Sequence, residues 1–252
     1  MTPDGLPPCI TCGSMRVIRV NQPVGHPQFG QVEMCPTCGP TIRRYRRIQR
    51  YRAHRERIER YTQKVGRYCR QTFDTFDQRR PESEQTATVR QAYQAAIAFA
   101  KNPQGWLVLH GSKGTGKSHL AAAIANHLES LPEAVRPLVL FLISPDMLDL
   151  LRSGYNTGDY DDLLNLCREV DVLILDDLGV EQEKDWVNEK LFQILNYRSQ
   201  AELPTIIVTN HRLEELEPRI YDRVSDDDLS TSVEILAPTY RQRRSAPGTI
   251  VQ

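Results

Sequence analysis

The chain has 252 residues, with 32 basic and 32 acidic side chains, 40% hydrophobic residues and a formal net charge of zero. This is the composition of a globular protein and excludes disorder throughout; no run of about 18 apolar residues is present to cross a bilayer. The N-terminal residues lack the basic start and apolar core of a secretory signal, so the expected location is cytoplasmic, with no membrane partner.

Zero net charge conceals an asymmetry. Residues 41–70 carry twelve Arg or Lys against Glu56 and Glu59, a local charge of +10, while residues 71–252 sum to −10. Such a basic arm suits an acidic partner, either nucleic acid or an acidic protein surface.

Residues 1–40 hold four of the six cysteines. Cys9-Ile10-Thr11-Cys12-Gly13 and Cys35-Pro36-Thr37-Cys38-Gly39 are two C-x2-C-G knuckles, 22 residues apart. Cys9, Cys12, Cys35 and Cys38 therefore predict a closed, structural Zn²⁺ site in a zinc-ribbon module too small to fold on its own core. Two disulfides, or His26 in place of one thiolate, are the competing readings. Cys69 and Cys167 read as packing residues.

Residues 41–70 read as a basic amphipathic helix beginning after Pro40 and weakening near Gly66. Tyr51, His54, Ile58, Tyr61, Val65 and Tyr68 recur at spacings of 3 and 4 and form one seam, available to a partner or to a neighbouring domain. Residues 78–91 are polar and read as a linker or surface loop.

From about residue 86 helices and short apolar strands alternate: a helix carrying Val89, Ala92, Ala96 and Phe99, then strands at 106–110, 138–143, 172–175, 205–209 and 233–236. This pattern predicts a parallel sheet covered by helices on both faces. Between the first strand and the helix at 118–128 lies Gly111-Ser112-Lys113-Gly114-Thr115-Gly116-Lys117-Ser118, which fits G-x-x-x-x-G-K-[ST] in the strand–loop–helix context of a phosphate-binding loop. With the adjoining His119, these residues are the expected ATP-binding set; Lys117 meets the β- and γ-phosphates and Ser118 reaches Mg²⁺. The strand at 172–175 delivers Asp176, expected to hold Mg²⁺, and Asp177, expected to deprotonate the attacking water. Asn210, ending the strand at 205–209, completes the set.

Together these motifs resemble the AAA+ ATPases, and more closely the DnaC/DnaI-type helicase loaders and their IstB-like transposon relatives. Further resemblances lie in Cys69–Phe76, Asp171–Val180, Leu191–Arg198, Arg219–Val224 and Thr239–Arg241, so that residues 69–244 or so are covered. The resemblance implies a P-loop AAA+ domain over residues 71–252, with Asn210 as sensor 1, Arg223 as an arginine finger through which copies self-associate, and Arg241 as sensor 2. It also implies that residues 147–166 form the helical insertion that contacts single-stranded DNA, with Arg152, Tyr155 and Tyr160 as its charge and stacking contacts. The paired Asp176-Asp177, rather than Asp-Glu, implies a slow, switch-like ATPase. By the same resemblance the partners are a hexameric replicative DNA helicase, docked through residues 1–70, and single-stranded DNA. An IstB-like transposition helper that binds DNA and a transposase, and a zinc-dependent DNA-binding adaptor with a merely structural nucleotide site, are the rival readings.

Overall fold

A computed structural model describes residues 8–13, 15, 17–19, 27, 31–61, 68–78, 83–179 and 184–239. The chain divides into two compact units, Met1–Ala53 and His54–Gln252.

The first unit holds two short strands, β1 (Val17–Arg19) and β2 (Val32–Met34), paired antiparallel with Ile18 opposite Glu33. Helix α1 (Gly39–Tyr61) follows, and the division between the units falls within it. It begins earlier than expected, with Pro40 inside its first turn, where a missing N–H costs nothing. Ile58 of the expected seam is fully buried. Tyr68 departs from it: the residue sits in a separate 3₁₀ turn, Tyr68–Arg70. Val65 lies outside the described residues.

The second unit is built on a five-stranded sheet, β3 (Trp106–Gly111), β4 (Val139–Ile143), β5 (Val172–Leu178), β6 (Thr205–Thr209) and β7 (Ser230–Ile235), ordered β4-β5-β6-β3-β7 with every pairing parallel. Parallel strands covered on both faces read as continuous apolar runs, and Trp106–Leu109, Val172–Leu175 and Ile206–Val208 are all buried. Around them lie α2 (Glu84–Lys101), α3 (Lys117–Glu129), α4 (Ser144–Thr157), α5 (Tyr160–Glu169), α6 (Lys184–Gln200) and α7 (Pro218–Val224). Helix α3 buries Ala121, Ala122, Ala123 and Ala125, small side chains that let it settle close over the sheet. Among the described residues, no helix is long and apolar enough to cross a membrane.

Two expectations are corrected. Residues 84–91, read as linker or loop, are the first two turns of α2. The Ser83 hydroxyl accepts the Thr86 N–H at 3.2 Å and the Thr86 hydroxyl accepts the Ser83 N–H at 2.9 Å, a reciprocal cap. Strand β5 also runs three residues beyond Leu175, because a register shift against β6 between Leu175 and Leu178 carries the ladder past the two aspartates.

Candidate functional sites

In the first unit the four knuckle cysteines converge. Cys9 and Cys35 Sγ lie 3.8 Å apart, Cys12 and Cys38 Sγ 3.7 Å apart, and all four sulfurs fall within 4.8 Å of one another. Thiolates at 2.3 Å from a tetrahedral zinc ion stand about 3.8 Å apart, so the spacing fits that ion, and all six cysteines of the chain are free thiols. The matched Thr11 and Thr37 hydroxyls tie knuckle to knuckle at 2.7 Å. The Cys12 and Thr11 backbone N–H groups point at Cys9 and lower its thiol to about 6; the Cys38 and Thr37 N–H groups also push the Cys35 thiol below its ordinary value. Thiolate-favouring surroundings are what a metal ligand requires.

In the second unit a cavity of about 670 Å³ opens where the C-terminal ends of the strands meet the start of α3. Lys113, Gly114, Gly116, Lys117, Ser118 and His119 line it from the loop side, while Gly111, Ser112 and Thr115 of the expected set are not among its lining residues. Thr115 is fully buried and its hydroxyl donates to the Ser112 carbonyl at 3.1 Å. The Lys117 ammonium donates to the Gly111 and Ser112 carbonyls, both at 2.7 Å, and burial lowers its pKa to about 8, against the raising pull of Asp176 and Asp177. Gly116, at φ 108°, caps α3 without a side-chain hydrogen bond. The first-turn N–H groups of α3 are therefore not claimed by a cap, which is the arrangement that receives an anion. A Cβ on Gly116 would stand 2.9 Å from the Phe76 ring, so no larger residue fits the loop there.

Across the cavity stand the β5 carboxylates. Asp176 is 2% exposed, and Oδ1 accepts the Ser118 hydroxyl at 3.0 Å and the Asp177 N–H at 3.0 Å. Burial raises its carboxyl above the usual range, with the Ser118 hydrogen bond opposing; an oxygen-rich, desolvated carboxylate beside a hydroxyl is a fitting donor set for Mg²⁺. Asp177 occupies the left-handed region, φ 59°. The register shift turns it out of the ladder, and Thr209 closes the gap by donating to the Leu178 carbonyl at 2.7 Å. Asn210 Nδ2 donates to Asp177 Oδ1, so the two residues share one point of the cavity wall.

The opposite wall is one that sequence reasoning did not bring to this site: Tyr68 stood in the seam of the basic helix and Cys69–Phe76 only in the resemblance. Residues 68–77 cross over α3 as a strap and supply Tyr68, Arg70, Gln71, Thr75, Phe76 and Asp77 to the cavity. Asn126 of α3 holds the strap by donating to the Tyr68 and Gln71 carbonyls at 2.9 and 2.8 Å. His119 holds it further along, with Nε2 3.0 Å from the Thr72 carbonyl and 3.2 Å from Thr75 Oγ1, its ring edge-on to Phe76. The discoverable signal was Thr72-Phe73-Asp74-Thr75, where the Thr75 N–H donates to the Thr72 hydroxyl and makes a local turn.

The remaining expected residues lie elsewhere. Arg223 is absent from the cavity lining; its Nε and Nη2 donate to Asn196 Oδ1 at 3.2 and 3.1 Å. Arg241 lies outside the described residues. In α4 and α5, Tyr155 and Tyr160 stack on each other at 4.2 Å, and Lys190 lies 5.6 Å from the Tyr160 ring. Tyr155 is the exposed member, and Arg152 lies over Trp186 at 4.9 Å.

Comparison with known proteins gives this geometry its relatives. The replicative helicase loader DnaC of Escherichia coli K12 is 34% identical over 153 residues, 60% of this chain and 61% of that one. The chain thus spans about three fifths of the length of that relative. Among solved structures, a DnaC helicase loader superposes with a TM-score of 0.56 at 25% identity, covering 68% of this chain and 99% of the other. DnaI superposes with a TM-score of 0.53 at 27% identity, covering 68% and 94%. Residues 69–227, from the strap through Arg223 and past it, match the family model of the bacterial DnaA ATPase domain; over well more than half its length, this chain is a member of that AAA+ ATPase family.

Proposed function

We propose that the chain is an ATP-dependent loader of the replicative DNA helicase onto single-stranded DNA. The observation that carries the reading is the cavity in which the loop cation Lys117 faces the Asp176–Asp177–Asn210 cluster, in a chain similar to a replicative helicase loader. In this reading residues 111–119 cradle ATP, and Lys117 moves its ammonium from the loop carbonyls onto the phosphates. Ser118 and Asp176 hold Mg²⁺, which offsets phosphate charge. Asp177 takes the proton of the attacking water, and Asn210 orients that carboxylate. Arg223 stabilises developing charge in the site of a neighbouring copy, and Arg241 answers for sensor 2. Cys9, Cys12, Cys35 and Cys38 hold Zn²⁺, and residues 1–70 dock the helicase. The exposed face of Tyr155 and the Arg152 guanidinium meet single-stranded DNA, where one stacked base is worth about 1–3 kcal/mol.

The test is copurification of the full chain with the replicative helicase of its own organism, together with ATP hydrolysis measured with and without single-stranded DNA. The reading expects a stable complex with the helicase and hydrolysis that responds to the DNA, the hydrolysis lost in Lys117→Ala. Capture of a transposase in place of the helicase would transfer the chain to the IstB-like reading. Absence of hydrolysis under every condition would leave the adaptor reading.

A further inference from the structure

Tyr68 belongs neither to the glycine-rich loop nor to the acidic cluster, yet its hydroxyl reaches the cluster at Asp176. Its hydroxyl donates to Asp176 Oδ2 at 3.4 Å, a long contact that leaves the carboxylate room to shift. The other oxygen, Oδ1, is taken by the Ser118 hydroxyl and the Asp177 N–H. The two oxygens of this buried carboxylate are thus addressed separately, one by the loop helix and its own strand, the other by the strap.

Tyr68 is fixed well enough to do this. Its carbonyl accepts Asn126 Nδ2 at 2.9 Å and the Gln71 N–H at 3.1 Å, which closes the 3₁₀ turn. Its ring leans on Phe141 of β4, centroids 5.4 Å apart. Backbone and ring are therefore both anchored, and the hydroxyl is held within reach of Asp176. A carboxylate ligates a cation only in the rotamer that aims an oxygen at it, and the groups that fix that rotamer govern affinity nearly as strongly as the ligand itself.

We infer that Tyr68 is a positioning residue for the divalent cation, setting the Asp176 carboxylate through Oδ2 while Ser118 sets it through Oδ1. The inference rests on the nucleotide reading proposed above and assigns it a residue that the phosphate-loop pattern does not contain.

Tyr68→Phe keeps the ring and its packing on Phe141 and removes the hydroxyl alone. The measurement is binding of a fluorescent, non-hydrolysable ATP analogue to the full chain, titrated with MgCl₂ and repeated in EDTA, beside a thermal melt. The expected result is a Mg²⁺ midpoint raised about 10–100-fold, with affinity in EDTA and the melting temperature unchanged. A midpoint within twofold of the parent overturns the inference while leaving the nucleotide site standing. Equal losses with Mg²⁺ and in EDTA also overturn it, because Tyr68 is then a wall of the cavity and nothing more. A parent chain that binds no analogue in either condition removes the nucleotide reading and this inference together.

Discussion

Asn210 reaches across from the end of β6 and donates its side-chain amide to Asp177 Oδ1, a residue held at φ 59° by the slip between β5 and β6. For most residues that backbone conformation costs about 1–2 kcal/mol, but Asp and Asn tolerate it. Asp177→Asn therefore keeps the turn and the fold, and also keeps nucleotide binding, while removing the base. Loss of a positioned general base lowers turnover by about 10²–10⁴. Single-turnover hydrolysis beside equilibrium binding checks it; an Asp177→Asn chain with parental turnover removes Asp177 from the chemistry.

Arg223 is held by Asn196 and stands apart from the cavity of its own chain. If it serves a neighbouring copy, Arg223→Ala binds ATP as the parent does and loses about 10³–10⁵ in hydrolysis. Mixing it with Lys117→Ala restores part of the rate, because an Arg223→Ala site beside a Lys117→Ala neighbour is complete. A mixture as inactive as its components rules out action in trans.

Metal removal acts on the first unit. The converging thiolates predict about one zinc ion per chain, and Cys35 is completely buried among them. Cys35→Ser, or a strong chelator, exposes residues 1–53 to protease because binding energy in such a module is folding energy. Binding of the ATP analogue by the second unit persists. Atomic absorption that finds no zinc in freshly purified chain would undo the assignment.

Arg198 is fully buried, yet its surroundings are carbonyls. Nε donates to Thr205 Oγ1 at 2.8 Å, Nη1 to the Arg168 and Val170 carbonyls at 3.0 and 2.9 Å, and Nη2 to the Pro204 carbonyl at 2.6 Å. It thereby ties the end of α5 to the start of β6. Arg198→Met leaves several buried acceptors bare at about 1–3 kcal/mol each, and a loss of about 3 kcal/mol lowers the melting temperature by about 6–12 °C in a chain of this size. A shift below about 2 °C would show that water replaces the guanidinium.

What could be read from the sequence was what depends on short spacing. The turn from Gly111 to Ser118 needs its glycines and its lysine at fixed offsets, and apolar runs such as Val172–Leu175 announce buried parallel strands, so the sheet and its loop were legible. The slip at Asp177 was not, because it is a property of β5 against β6, strands separated by a whole helix in sequence. Tyr68 fell at the right interval for the α1 seam, but periodicity does not see that it sits in a 3₁₀ turn of its own. The polar start of α2 looked like linker because its cap pairs Ser83 with Thr86 rather than with the usual Glu or Gln. Arg198 looks like any helical surface cation until the carbonyls of another helix and strand surround it.

The strap over α3 also decides where this ATPase can be cut. A fragment beginning at Ser83 would retain all five strands of the large sheet and every helix from α2 onward. It would lack Tyr68, Gln71, Thr75 and Phe76, one whole side of the cavity. Gly116 would then face open solvent where the Phe76 ring now stands, and His119 and Asn126 would be left with no strap to hold. A piece of this chain that keeps every wall of the cavity therefore begins no later than Tyr68, well before the first strand of the large sheet.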